Sequence, residues 1–466
     1  MQSRSHLFKE DLPSHLNNST MRQNVDRATW LSMNKREKVI AEIDWHASRE
    51  QARQIKKEVV DNLEVYLEQF IEQAESQGIS VQRASSAKEA VELAGIIAQE
   101  NNVKRVVKSK SMLTEEIGLN DYLQSLDISV VETDLGEYII QLNGDPPSHL
   151  TGPAIHLSRQ EIGKIFQKYL GIPYSDDPET LTRAARERLR KEFLQADMGI
   201  TGANFGIVEN GCITVVENEG NARLCASLPD IHVAFIGMER LIPQMQDLGL
   251  FLPLLCRSST GQRLTSFIST FGGPVSEEHP DGPEKVYYII VDNGRSKLLA
   301  DKRLKEALHC IRCGACYNSC PIYQNIGGHA YGWVYQGPIG AVITPSLLGL
   351  EKAKDLPFAS SLCGTCSEVC PVKIPLHELL LYQREQVVEA GLQPNLEAFG
   401  MKAFVNSASS SRSFSRLIGL GKGLQRLLGS KLKVPGWSSS RNLPQPPASS
   451  FKELWRELQT DRDTNE

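Results

Sequence analysis

Apolar residues recur at helical spacing near the start of the chain and in short strand-like runs through its middle. Residues 1–60 are polar and charged, with a helix expected around Lys35–Asn62. The arm continues into Leu63–Gln77, where Leu63, Val65, Tyr66, Phe70 and Ile71 keep the period. From 79 to 300, short apolar runs alternate with amphipathic stretches. Val81, Arg105–Lys108, Ile128–Val131, Glu137–Leu142, Ile213–Val216, His232–Ile236 and Val286–Val291 read as strands. Ala87–Glu100 reads as a helix, and Ser109–Leu119 as a helix entered through a loop. Interleaved strands and helices predict right-handed crossovers and a largely parallel α/β sheet.

Around residue 300 the pattern changes. Lys302–His309 is a short basic amphipathic helix, 310–373 is rich in Gly and Pro, and Ile374–Ala390 carries Leu376, Leu379, Leu380 and Val387 on one helical face. Beyond about 405 the chain is Ser-, Gly- and Pro-rich, as in Ser407–Ser413 and Leu443–Pro447, which predicts a mobile tail. Four segments follow: an arm over 1–62, an α/β domain over 63–300, a cysteine module over 301–400 and an extension over 401–466.

Composition narrows the classes. The chain has 466 residues, 41% apolar and 23% charged, with a net charge of −5, so nothing global points to nucleic acid. The start lacks the apolar stretch of a secretory signal. The run Leu248–Cys256 is broken by Pro253 and falls far short of the ~20 residues of a spanning helix. A cytoplasmic, non-spanning protein is expected. The segment 412–433, basic and carrying Phe414, Leu417, Ile418, Leu424, Leu427 and Leu428, leaves a peripheral membrane contact open. Partner docking or disorder is preferred for it, because its glycines weaken a helix. Phe451–Trp455 is a second candidate anchor.

Seven of the ten cysteines stand in two motifs, Cys310-x2-Cys313-x2-Cys316-x3-Cys320-Pro321 and Cys363-x2-Cys366-x3-Cys370-Pro371. Zinc sites usually separate two ligand pairs by a spacer, whereas a 2-2-3 run ending in Pro belongs to iron–sulfur clusters. In two-cluster ferredoxins the cysteine before proline ligates the other cluster. Carried over, cluster 1 is held by Cys310, Cys313, Cys316 and Cys370, and cluster 2 by Cys320, Cys363 and Cys366. Pro321 and Pro371 turn the chain away, and Gly314 and Gly364 let the backbone approach inorganic sulfide. The second motif is one thiol short, with Ser360 where the fourth would stand. Three arrangements fit: a four-iron cluster completed by Ser360 or another residue, one with an iron open to solvent or a partner, or a three-iron cluster. Cys212, Cys225, Cys256 and His377 are weaker candidates, since free cysteines are mostly small core residues. Tyr331, Trp333 and Tyr335, between the motifs, read as an aromatic cover over the clusters, with a docking face for a redox partner as the alternative. Flanking helices make the module α-helical.

The front domain shows no G-x-G-x-x-G after a strand, no P-loop and no nucleophile elbow, so no nucleotide cofactor is supported. Lys108–Glu116 follows a strand, where α/β folds place ligands, and its lysines and hydroxyls suit either an anion site or a helix cap. The small residues of Asp197–Gly206 permit tight turns, and Glu209, Glu217, Glu219, Asn221 and Arg223 either converge near strand ends or lie in solvated turns. The run Arg183, Arg186, Arg188, Arg190 and Lys191 reads as a solvated helical face.

The combination of Lys108–Ser111, Ala196–Asn204 and the paired cysteine motifs resembles the lactate utilisation protein B family over nearly the whole chain. The resemblance implies a front domain related to the sugar-isomerase and CoA-transferase-like α/β fold, an α-helical ferredoxin module and two 4Fe–4S clusters. It implies two companions, a cysteine-rich iron–sulfur subunit and a small protein with the same front-domain type, together oxidising L-lactate to pyruvate for growth. The electron acceptor is unknown. Electron transfer, not the chemical step, is assigned to this chain. The rivals are an electron-transfer subunit for another hydroxy acid, a CoA-transferase-like catalyst with Glu209 as nucleophile, and a non-redox scaffold.

Overall fold

The structure, a computed structural model, describes residues 3–277, 280–428, 444–445 and 447–463. Ten strands carry the first compact unit, which runs to Ala390: β1 Ser80–Ala84, β2 Arg105–Lys108, β3 Ser129–Glu132, β4 Met198–Gly202, β5 Phe205–Ile207, β6 Ile213–Glu217, β7 Ile231–Gly237, β8 Leu241–Ile242, β9 Phe267–Phe271 and β10 Lys285–Val291. Six form a parallel sheet in the order β1-β10-β7-β4-β2-β3. All seven residues of β7 are buried, as a strand covered on both faces requires.

Three strand assignments differ from the pattern reading. Glu137–Leu142 lies within a helix, Leu135–Asn143, because its two ends are signalled locally. The Asp134 side chain accepts from the Glu137 N–H, and Gly144 ends the helix at φ 74°. Ile213–Val216 is a strand, but in a second, mainly antiparallel sheet of order β8-β5-β6-β9. The small residues of Met198–Gly202 form a central strand instead of tight turns. At Gly199 a Cβ would sit 1.7 Å from the Cys225 carbonyl oxygen, so only glycine admits the helix Asn221–Ser227 this close to the sheet.

The arm is helical but interrupted. Helices Ser19–Ile40 and Trp45–Asp61 are separated at 41–44, where Asp44 caps the second by accepting from the Ala47 N–H. Lys302–His309 contributes a 3-10 turn over Leu304–His309. Phe8, Met21, Val25, Trp45 and Ala52 from the arm share one core with Leu308, Ile311, Tyr331, Ile343 and Leu380, so arm and cysteine region are buried together.

The second unit begins at Gly391. It contains helices Asn395–Ala408, Ser411–Leu428 and Phe451–Asp463. Helix Ser411–Leu428 runs through Gly419, Gly421 and Gly423 despite their propensity cost, with Leu417, Leu420, Leu424 and Leu427 exposed. Lys431, Lys433, Leu443 and Pro446 fall outside the described residues. Among the described residues no helix is long and apolar enough to cross a membrane.

Gly199→Ala is expected to destabilise the protein by about 3 kcal/mol or prevent folding, the upper end for overpacking a core. Gly249→Ala, at a position where a Cβ meets nothing within 4 Å, should leave the melting temperature nearly unchanged. Thermal unfolding of both variants checks the contrast.

Candidate iron–sulfur centre and adjoining cleft

The two cysteine motifs repeat one backbone conformation fifty residues apart. Arg312 and Leu362, each just before a cysteine, have φ of 58° and 56°; Gly314 and Gly364, each just after it, have φ of 77° and 83°. Four-residue helical turns follow at Ala315–Asn318 and Thr365–Glu368. No Cβ clash arises at either glycine, so the left-handed φ is what favours glycine there. The match extends upstream. The Arg312 N–H donates to Cys310 Sγ at 3.4 Å, and the Leu362 N–H donates to Ser360 Oγ at 3.1 Å.

Cys310, Cys313, Cys316 and Cys370 line a single cavity, together with Arg312 and a mainly apolar wall that includes Leu150, Ile339, Val372, Ile374 and Leu376. Burial pushes the Cys313 and Cys316 thiols far up and Cys370 up to about 11, the neighbouring thiols adding to the rise at each. Cys320, Cys363 and Cys366 form a second neighbourhood: Cys366 is raised to about 11 by burial, then by Cys320. Cys363 is exposed, and hydrogen bonding to Thr365 holds it below its ordinary value. Buried thiols kept neutral by desolvation suit ligation, because a metal replaces the proton and neutralises the thiolate. Among the described residues no three His, Cys, Asp or Glu side chains converge on a point that would hold one metal ion.

A collar of basic side chains, from positions that no spacing rule marks, surrounds the first cradle. From the arm, Arg36 Nη2 donates to the Val369 carbonyl at 3.2 Å, and Arg49 donates to the Cys370 and Ser367 carbonyls at 2.8 and 3.2 Å. Trp45 lies under both guanidinium groups. Lys56 is fully buried, donates to the Glu239 and Leu241 carbonyls at 2.6 and 3.1 Å, and is lowered to about 7 by burial. Arg240 donates to the Cys310 carbonyl at 3.3 Å.

The cradle is tied to the sheet by a buried ion-pair web. Arg295, following β10, donates to Glu116 through two nitrogens at 2.8 Å and to Glu239 at 2.8 Å; Tyr335 donates to Glu116 at 2.6 Å. Glu239 Oε1 also faces Arg240 Nε at 3.7 Å and Arg312 Nη2 at 3.5 Å, and the Arg312 guanidinium lies over the Tyr335 ring. Tyr331, Trp333 and Tyr335 are thus core residues.

Above this web, at the carboxyl ends of β2, β4 and β7, opens a cleft of about 280 Å3. It is lined by Ser109, Lys110 and Ser111 after β2, Asn204 after β4, and Glu217, Glu219 and Asn221. Lys108 does not line it. That lysine is buried beneath, paired with Glu132 at 2.7 Å and Glu115 at 3.1 Å. Neither Arg223 nor Glu209 lines the cleft: the Arg223 side chain stacks over Phe267, and Glu209 accepts from the Met245 N–H at 2.8 Å. Arg183 and Arg188 pair with Glu179 and Glu192 on an exposed helical face. Cys256 lines the cleft, Cys225 contacts Thr133, Cys212 contacts Gln77, and His377 contacts Ser367.

Comparisons with known proteins agree with this division. A LUD domain matches residues 67–291, and a 4Fe-4S dicluster domain matches residues 306–374. Lactate utilization protein B of Oceanobacillus iheyensis is 43% identical, with 97% of this chain and 96% of that protein covered. Lactate utilization protein B of Bacillus cytotoxicus is 42% identical, with 97% of each chain covered. A crystal structure of a DUF162 family protein from Deinococcus radiodurans has 16% identity and a TM-score of 0.27, covering 49% of this chain and 98% of its own.

Removing one carboxylate from the web leaves Arg295 with a buried, half-paired charge. Glu116→Gln is expected to lose about 3 kcal/mol at neutral pH, the lower end for breaking a buried pair. Denaturant unfolding of this variant beside Glu179→Gln, which breaks an exposed pair and should cost less than about 1 kcal/mol, checks it.

Proposed function

The chain belongs to the lactate utilization protein B family, and on that premise we propose that it is the electron-carrying iron–sulfur component of an assembly that oxidises L-lactate to pyruvate. Two clusters are assigned, one on Cys310, Cys313, Cys316 and Cys370 and the other on Cys320, Cys363 and Cys366. When bound, such clusters take up and release electrons singly. The companions are a cysteine-rich iron–sulfur subunit and a small protein with the same front-domain type, in the cytoplasm.

The observation that carries the reading is the contrast between the cradles. Cys313, Cys316 and Cys370 are buried and share a largely apolar cavity with half-buried Cys310, whereas Cys363 is exposed. A buried carrier beside one at the surface is what a relay to another protein requires. Leu150, Ile339, Ile374 and Leu376 line the inner cradle, and Arg36, Arg49, Arg240 and Arg312 offset negative charge there. Glu209, held on the Met245 backbone away from the cleft, gives little support to a CoA-transferase reading.

A strain lacking the protein should fail to grow on L-lactate and recover with the wild-type chain but not with Cys363→Ala. The purified variant should keep the EPR signal of the inner cluster and lose that of the outer one. Full growth with Cys363→Ala, or a colourless zinc-loaded wild type, would refute the relay.

A further inference from the structure

We propose that the cleft at the carboxyl edge of the parallel sheet binds a small carboxylate, a 2-hydroxy or 2-oxo acid, against the wall of the inner cysteine cradle. The class of acid rests on the electron-carrier reading above; the site itself rests on geometry. β2 and β4 are neighbours, but the chain leaves β2 towards β3 and leaves β4 in the opposite direction, towards β7. The crevice between them is a topological switch point, where open α/β sheets receive ligands. Ser109, Lys110 and Ser111 stand on one side of it and Asn204 on the other.

Two buried groups that line the cleft have donors with no partner. Ser109 is 2% exposed and its Oγ makes no hydrogen bond; Arg312, with its side chain 10% exposed, leaves Nε and Nη1 unpaired. Unsatisfied buried donors of this kind call for an acceptor. Arg240, Arg295 and Arg312 all line the cleft beside these donors. Asp134, Glu217 and Glu219 line it as well, the last raised to about 7 by burial and then by Asp134. The lining thus offers cations for a carboxylate and carboxyl groups for the hydroxyl or keto oxygen of the same small molecule. A volume of about 280 Å3 is modest for a drug-sized ligand and ample for a three-carbon acid. Arg312 and Leu150 line both this cleft and the cavity of the four cysteines, so a bound acid would lie one side chain from the inner cradle.

The test titrates the anaerobically purified, cluster-loaded full chain with L-lactate, pyruvate, acetate and phosphate by calorimetry. Ser109→Ala and Lys110→Gln are used because neither side chain lines the cysteine cavity. The expected result is saturable binding of lactate or pyruvate, weakened roughly tenfold or more in both variants. Iron and sulfide contents should stay unchanged, and the inner cluster's EPR spectrum should be altered by the acid. No saturable binding of either acid, equal affinity in both variants, or preference for phosphate would overturn the site. Growth on lactate and intact cluster signals in that event would leave the relay standing.

A separate observation bears on the second cradle, and from it we infer that Ser360 supplies the ligand that the missing cysteine would have given. This also rests on the cluster assignment. Ser360 stands in the second motif where Cys310 stands in the first, and the positive φ at Leu362 and Gly364 repeats that at Arg312 and Gly314. The N–H two residues on donates to Ser360 Oγ as its counterpart does to Cys310 Sγ. A second hold comes from Arg384 Nη2, which donates to the Ser360 carbonyl at 2.8 Å and fixes the loop. On ligation the Oγ–H bond breaks, an Oγ–Fe bond forms and the proton leaves to solvent, with no change of oxidation state.

Iron and sulfide analysis with Mössbauer and EPR spectroscopy on anaerobic wild type, Ser360→Ala and Ser360→Cys tests this. Wild type should hold a four-iron outer cluster. Ser360→Ala should pass to a three-iron form on mild oxidation, and Ser360→Cys should keep four irons with a shifted potential. A three-iron outer cluster in anaerobic wild type, or Ser360→Ala indistinguishable from wild type, would overturn the ligand. A preparation without iron or sulfide would instead overturn the cluster reading itself.

Discussion

The architecture hangs on Arg295 held between Glu116 and Glu239. The three stand on short helical segments that follow β10, β2 and β7, and all are buried. Burying one charge alone costs several kcal/mol, and it is tolerable here because Glu116 takes two nitrogens of the guanidinium while Tyr335 and Asn293 donate to the same carboxylate. From Glu239 the web passes to Arg240 and Arg312, which flank the first cysteine loop. The carboxyl edge of the sheet and the first cysteine loop are thus joined by directional contacts, which set their orientation more tightly than apolar packing would.

Much of this was legible from local pattern. The parallel-sheet core announced itself in apolar runs such as His232–Ile236 and Val286–Val291, which occupy the middle of the sheet as β7 and β10. Glu137–Leu142 was misleading because its composition suits a strand, whereas Asp134 and Gly144 bracket a helix. The glycine of Met198–Gly202 reads locally as a turn signal; its reason is a helix backbone pressed on the strand from elsewhere.

The cysteine spacing told which thiols to look for, and the repeated backbone geometry explains why the spacing recurs. What surrounds the thiols was not legible. Arg36, Arg49 and Lys56 stand on a polar, charged arm that resembles solvated surface, yet Arg49 and Lys56 are buried against partners hundreds of residues away. Lys108 shows the converse: it looked like an anion ligand, and three carboxylates beneath the cleft, Glu115, Glu132 and Glu137, absorb its charge. Pairing of this kind depends on which strands become neighbours, which one-dimensional spacing does not encode.

The clasp of the arm on the second motif has a consequence for biogenesis. Arg36 and Arg49 reach carbonyls 333 and 321 positions further along the chain. During synthesis the arm leaves the ribosome first and must wait, through nearly the whole first unit, for the loop it grips. Lys56 has its carbonyl partners at Glu239 and Leu241 earlier, but Arg36 and Arg49 have theirs only once the second motif is made. Closing the arm is therefore a late event, and delivery of iron and sulfide has an interval in which the thiols are made but not yet shut in.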